Sequence, residues 1–136
     1  MRLLEIEDWR RKRLAPPDST FFSLDVERRL VLVRFGKTIS FSDIKDYASK
    51  LLAHPQFHPN YSEIADLCKV EQLKLGPEEF IKLADEVDPF SFEAKRAFVV
   101  SNSVQAHAAR MHKALRIQRN FSIFHSVDEA ERWIEE

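Results

Sequence analysis

The sequence predicts an α/β domain: a single mixed β-sheet of about five strands with helices packed against it. Three observations point there. First, two runs rich in β-branched and aromatic residues, Phe21-Phe22-Ser23-Leu24-Asp25-Val26 and Leu30-Val31-Leu32-Val33-Arg34-Phe35, flank the polar turn Glu27-Arg28-Arg29 and read as a hairpin. Second, three later runs, residues 61–67, 97–100 and 120–124, have strand composition. Third, the segments between and after these runs carry apolar residues every three or four positions, the helical period. The order is β-β-α-β-α-β-α-β-α, and such alternation implies that the later strands run parallel.

Each element has its own local warrant. The first helix carries Phe41, Ile44, Tyr47, Ala48, Leu51 and Leu52 on its stripe. Ser40 caps it, Asp43 suits the dipole in the first turn, and Pro55 ends it near His54. Gly76-Pro77-Glu78-Glu79 opens a second helix, with proline at the first helical position, a core stripe of Phe80, Leu83, Ala84 and Val87, and Asp88-Pro89 as its stop. The unbroken run Ala97-Phe98-Val99-Val100 reads as a central strand buried on both faces. Ser103 can cap a third helix with the stripe Val104, Ala108, Met111 and Leu115. Ser126 and Glu129 have capping-box spacing at the last helix, which turns Ala130, Trp133 and Ile134 inward. Residues 1–19 read as an N-terminal arm outside the domain. Trp9-Arg10-Arg11-Lys12-Arg13 is a basic cluster there, and Pro16-Pro17 stop any helix. Residues 20–136 form the domain.

Composition bounds the function. Lys plus Arg number 21 and Asp plus Glu 22, a formal net charge of −1, without the basic excess of a dedicated nucleic-acid binder. The single cysteine, Cys68, rules out an intrachain disulfide and any multi-cysteine metal site. Two glycines, Gly36 and Gly76, cannot supply a phosphate-binding loop or a dinucleotide fingerprint. The charged start, Met1-Arg2-Leu3-Leu4-Glu5-Ile6-Glu7-Asp8, has neither a signal-peptide core nor the ~20 apolar residues of a membrane span, so the expected location is cytoplasmic.

The residues from about Thr20 onward also carry a family resemblance. It rests on Leu30-Val31-Leu32-Val33-Arg34-Phe35-Gly36, on Asp43-Ile44 followed by Leu51-Leu52-Ala53-His54-Pro55-Gln56-Phe57-His58-Pro59, and on Ile64-Ala65-Asp66-Leu67. It continues through Arg96-Ala97-Phe98-Val99, Ala109-Arg110-Met111 and the stretch Phe124-His125-Ser126-Val127-Asp128-Glu129-Ala130-Glu131-Arg132-Trp133. In this order and spacing the chain resembles the STAS-like, SpoIIAA-like family of small bacterial proteins. The resemblance implies a helix-layered sheet and a non-enzymatic protein-interaction or regulatory module. A likeness of that fold to lipid carriers adds a second expectation, a small-ligand or lipid-binding protein with an apolar pocket near the third helix. The anti-sigma antagonists of the group place a phosphorylatable serine or threonine after the third strand. Residues 67–79 here contain neither, and Glu78 and Glu79 would repel a phosphate at that helix start. His107 stands where a small residue is expected in relatives, which bears on any carried-over pocket geometry.

Candidate chemistry is sparse. His54 and His58 are separated by Pro55, and His107 and His112 flank their stripe from opposite sides without a neighbouring glutamate, so no zinc pattern appears and no cofactor or metal is expected. An enzyme would have to use Cys68 or these histidines, yet Cys68 follows a strand end with neither a base nor an oxyanion donor evident in the sequence, and a buried cysteine is the commoner case. Asp66, inside a strand, is either an acceptor for loop amides or a polar group lining a pocket. The clearest signal is charge segregation. Residues 94–127 hold no acid, whereas residues 60–93 hold nine against Lys69, Lys74 and Lys82. On a helical wheel Arg110, Lys113 and Arg116 lie opposite the Val104/Met111 stripe and form a basic outer face, either a solvated surface or a dock for an acidic protein or an anionic headgroup. The candidate ligand-binding residues are Asp66, His107, Arg110, Met111 and Lys113. The expected partners are another protein, a second copy in a homodimer, or an anionic lipid or small ligand. Nucleic acid is not expected.

Overall fold

The computed structural model describes residues 20–136; the arm of residues 1–19 lies outside the described part. β1 (Phe21–Asp25) and β2 (Leu30–Arg34) form the expected antiparallel hairpin, with Phe21 opposite Arg34 and Asp25 opposite Leu30. The four-residue turn closes with Arg29 N–H donating to the Val26 carbonyl at 3.2 Å, and Asp25 Oδ1 accepts from the Arg28 amide. From β2 the sheet continues in parallel through β4 (Ser62–Asp66), β6 (Arg96–Val99) and β7 (Phe121–Phe124), in the spatial order β1-β2-β4-β6-β7.

The sheet is covered on both faces, so the central strands have no solvent side. Val31, Val33, Ala65 and Phe98 project to one face and pack with Tyr47 and Leu51 of α1 (Phe41–Ala53) and Ala109 of α3 (Ser103–Arg116). This is where right-handed crossovers place the connecting helices. Leu30, Leu32, Ile64, Ala97 and Val99 project to the other face, against Val127 and Ala130 of α4 (Val127–Ile134). Leu30, Leu32, Ile64 and Ala97 have no accessible surface. Each large aliphatic among them contributes about 1.5–3 kcal/mol of burial.

The helix starts follow the local code. Ser40 and Asp43 make a full capping box, with Asp43 N–H to Ser40 Oγ at 3.3 Å and Ser40 N–H to Asp43 Oδ2 at 2.9 Å. Ser126 Oγ accepts from Glu129 N–H and donates to the Glu129 carboxylate.

Three expectations need correction. The chain forms two further short strands, β3 (Thr38–Ser40) and β5 (Gln72–Lys74), which pair in parallel as a separate ribbon. Three residues are too few to show a period, so neither was legible. The second helix is α-helical only over α2 (Pro77–Lys82) and then widens into a π-turn, Leu83–Val87, closed by Asp88 N–H to the Leu83 carbonyl at 2.9 Å.

The third correction concerns α3. It is capped by Asn102, whose side chain accepts from Gln105 N–H, rather than by Ser103. Its buried residues are Gln105, Ala106, Ala108, Ala109 and Arg116, while Val104 is 67% exposed. Small alanines let the helix approach the sheet closely, and Gln105 and Arg116 go inside because backbone carbonyls await them. The expected stripe thus holds at Ala108 and in part at Met111 but not at Val104 or Leu115, and of the expected outer face Arg110 and Lys113 are exposed while Arg116 is buried.

Candidate functional site

Beneath α1, the π-turn and α3 lies a cavity of about 90 Å³. Its wall is apolar, including Ile39, Ile44, Leu73, Leu75, Phe80 and Phe98, and one end is polar, formed by Tyr47, Glu63, Asp88, Arg96 and His112. The ribbon of β3 and β5 supplies Ile39 and Leu73, so the two short strands help shape its wall.

The polar end is a buried charge cluster assembled from five parts of the chain. Glu63 and Arg96 are register partners on adjacent parallel strands and point to the same face. Arg96 Nε and Nη2 donate to Glu63 Oε1 at 3.0 and 2.8 Å. The Tyr47 hydroxyl donates to Glu63 Oε2 at 2.7 Å, using the carboxylate's other oxygen. Asp88 sits where the π-turn ends. Pro89 holds it extended, and its Oδ1 accepts from Phe90 N–H at 2.9 Å.

Asp88 Oδ2 then faces two guanidiniums and an imidazole: Arg96 Nη1 at 2.6 Å, Arg116 Nε at 3.6 Å and His112 Nε2 at 2.7 Å. Arg116 also donates from Nη1 to the Ala84 carbonyl at 3.1 Å and from Nη2 to the Phe90 carbonyl. Gln118 completes the cage: its Oε1 accepts from Arg96 at 3.2 Å and its Nε2 donates to the carbonyls of Ser91, Phe92 and Ala94. The guanidinium carbons of Arg96 and Arg116 lie 4.5 and 4.4 Å from the ring centroids of Phe90 and Phe92.

These contacts set the ionisation. Burial pushes the Tyr47 hydroxyl well above the ordinary phenol value, and the neighbouring Glu63 carboxylate adds to the effect. Burial also raises Asp88, but Arg96, His112 and Arg116 outweigh it and hold the carboxyl well below the usual carboxylate range. For Arg96 burial acts against the charge and is overcome by Glu63 and Asp88, so the guanidinium stays protonated more firmly than a free one. Arg116 is lowered, chiefly by burial. Two carboxylates thus meet two guanidiniums at the polar end. His112, whose side chain is 17% exposed, closes the solvent side of the cluster.

None of the five residues singled out from the sequence lines this cavity. Asp66 is buried at the end of β4, where Oδ1 accepts from Cys68 N–H at 2.9 Å. His107, Arg110 and Lys113 are exposed on α3 and Met111 is half-buried. From that helix it is Ala108, Ala109 and His112 that reach the cavity. Arg116, assigned to the outer face, is turned inside. Cys68 is half-buried, and no cluster of three or more metal-ligating side chains occurs among the described residues. His54 and His58 serve the two-proline loop, each accepting a backbone amide through Nδ1 (from Gln56 and Asn60).

The charge cluster escaped sequence reasoning because its members are scattered between Tyr47 and Gln118. The available signal was the juxtaposition of an acidic window with a basic one. Three of the nine acids pair across the windows: Glu63 and Asp88 with Arg96, Asp88 with Arg116 and, at the surface, Glu93 with Arg119 at 3.7 Å.

No family model matches the chain, and no curated protein matches it. Solved structures do share its architecture. An uncharacterised protein of the DUF3478 family with a SpoIIAA-like fold, from Shewanella loihica, aligns over 85% of this chain and 94% of its own at 14% identity, with a TM-score of 0.60. An anti-sigma factor antagonist from Mycobacterium paratuberculosis aligns over 90% of this chain and all of its own (100%) at 19% identity, with a TM-score of 0.54. The chain therefore has the STAS, SpoIIAA-like fold that its sequence resembles.

Proposed function

We propose that this protein is a non-enzymatic regulatory module that works by binding another protein. The observation that carries this reading is the match of its fold, over 90% of this chain and 100% of the other, to an anti-sigma factor antagonist. Fold alone does not decide function; the charge cluster supplies a second support. Glu63, Asp88 and Arg96 spend their hydrogen bonds on one another, on Tyr47, His112 and Gln118 and on the Phe90 amide, and Arg116 spends its own on backbone carbonyls, the arrangement of a strut rather than of an acid–base pair awaiting substrate. Residues 67–79 lack serine and threonine, so control by phosphorylation at that place is not part of the reading.

Reciprocal affinity capture with cross-linking in the native host tests it. The expected result is one defined partner, recovered from either side and displaced by excess untagged protein. A chain that stays monomeric and captures nothing displaceable would overturn the reading.

The cavity favours a second reading, a binding site for a small apolar molecule. An engineered apolar cavity of about 150 Å³ accommodates benzene. At about 90 Å³ this one falls well short of an acyl chain. Native mass spectrometry of the purified protein for a co-purifying small molecule separates the two readings.

A further inference from the structure

β7 is an edge strand of the main sheet. On its inner side Arg96 N–H donates to the Asn120 carbonyl at 2.7 Å and Val100 N–H to the Phe124 carbonyl at 2.9 Å. The alternation of a parallel ladder then turns the backbone groups of Phe121 and Ile123 away from β6, and no described strand pairs there. The strand reads Phe-Ser-Ile-Phe, half-buried throughout. It carries neither the charge nor the proline with which edges are commonly blunted.

The helix beside this edge is basic. Lys113 Nζ lies 5.7 Å from the Phe121 ring centroid, which shows the side of α3 that flanks β7. Arg110 stands one turn earlier on that side. Both are exposed, and among the described residues neither pairs with a carboxylate.

We infer that the free edge of β7 is a docking site for an extended acidic segment of a partner protein, which joins the sheet as an added strand and sets its acidic side chains against Arg110 and Lys113. The inference rests on the protein-binding reading above and names its surface. Backbone pairing with Phe121 and Ile123 supplies the register, and because side chains alternate along a strand, every second residue of the segment faces α3. A second copy of this chain fits the edge poorly. Two-fold pairing of β7 with itself would set Arg110 and Lys113 of one copy against those of the other, and such like-charge juxtaposition is costly.

The test uses the full chain and a fluorescein-labelled peptide of alternating glutamate and valine. By fluorescence anisotropy this peptide should bind at least about tenfold more tightly than a lysine–valine counterpart, a difference of about 1.4 kcal/mol. N-methylation of alternate amides should abolish binding. The double substitution R110E/K113E, both at exposed positions, should reverse the charge preference with the circular dichroism spectrum unchanged. Amide NMR signals of Phe121 and Ile123 should shift on titration. Equal binding of the two peptides, or binding that leaves those amides unmoved, would overturn the inference. So would retention of the chain on phosphatidylserine vesicles in place of peptide binding. A partner captured from cells equally well by wild type and R110E/K113E would sink the edge and leave the module reading standing; absence of any captured partner would sink the module reading itself.

Discussion

Asp88 shows how much can rest on one side chain. Its carboxylate is 3% exposed and holds Arg96, His112 and Arg116 together, so replacing it leaves two guanidiniums facing each other without their shared anion. A buried ion pair is weak evidence of net stability, but removing one partner costs about 3–5 kcal/mol. Asp88→Asn should lose that amount in urea denaturation at neutral pH. The pH dependence has a definite sign. The folded-state value is depressed, so Asp88 contributes stability above the ordinary carboxylate pKa of about 4 and loses it as the pH falls toward the lower folded value. The wild-type protein should therefore lose stability steeply over that acid range, and Asp88→Asn should show a shallower fall. Tyr47 provides a second check. Tyr47→Phe deprives Glu63 Oε2 of its donor and should cost about 1–3 kcal/mol. None of this was legible from residue type. An aspartate before a proline at a helix end reads as a stop signal, which it is, and its second role depends on what lies across the cavity.

At the scale of elements, the end of α3 is where local preference and fold disagree. Ile117 adopts φ 55 and ψ 43, the left-handed region. A β-branched residue there is strained by about 1–2 kcal/mol, and its side chain, 77% exposed, recovers little by burial. The conformation sharply ends the helix and delivers Gln118 to the carbonyls of Ser91, Phe92 and Ala94. Ile117→Gly should keep that path, remove the strain and raise stability by up to about 1 kcal/mol, read as an upward shift of Tm. A fall would mean that the exposed isoleucine packs on something. Elements with strong end signals were legible: α1 with its capping box, the start of α2 at Pro77, and α4 with Ser126 and Glu129. The ribbon of β3 and β5 was not, because three-residue strands exist only through their pairing. Nor was the π-turn, since one extra residue in a helical turn leaves the apolar spacing almost unchanged.

For the whole molecule, the sheet ties two apolar layers into one unit. Leu32 faces α4 and Val33 faces α1 and α3, yet they are neighbours on one strand with no exposed surface. Leu32→Ala should cost about 2–5 kcal/mol. Its unfolding by far-ultraviolet circular dichroism and by tryptophan fluorescence should remain a single coincident transition. Two separated midpoints would show that the layers melt apart. Among the described residues no helix is long and apolar enough to cross a membrane. The charge pattern also belongs to this scale. Acidic and basic windows that look like two surfaces also supply an internal set of pairs, Glu63 and Asp88 with Arg96 and Arg116, and Arg110 and Lys113 are basic residues of α3 left facing outward.

The sequence by itself determined the five-stranded sheet, its hairpin start, its parallel continuation and the helices between the strands. These follow from the spacing of apolar side chains and from capping residues, which act within a few positions along the chain. Only the tertiary structure decided which charges meet, which face of α3 turns inward, and that a cavity opens beside the Asp88 cluster. Those outcomes depend on groups far apart in sequence: Tyr47, Glu63, Asp88, Arg96 and His112 come together through strand register and helix placement. A buried charge is stabilised by its spatial neighbours, which no local pattern records.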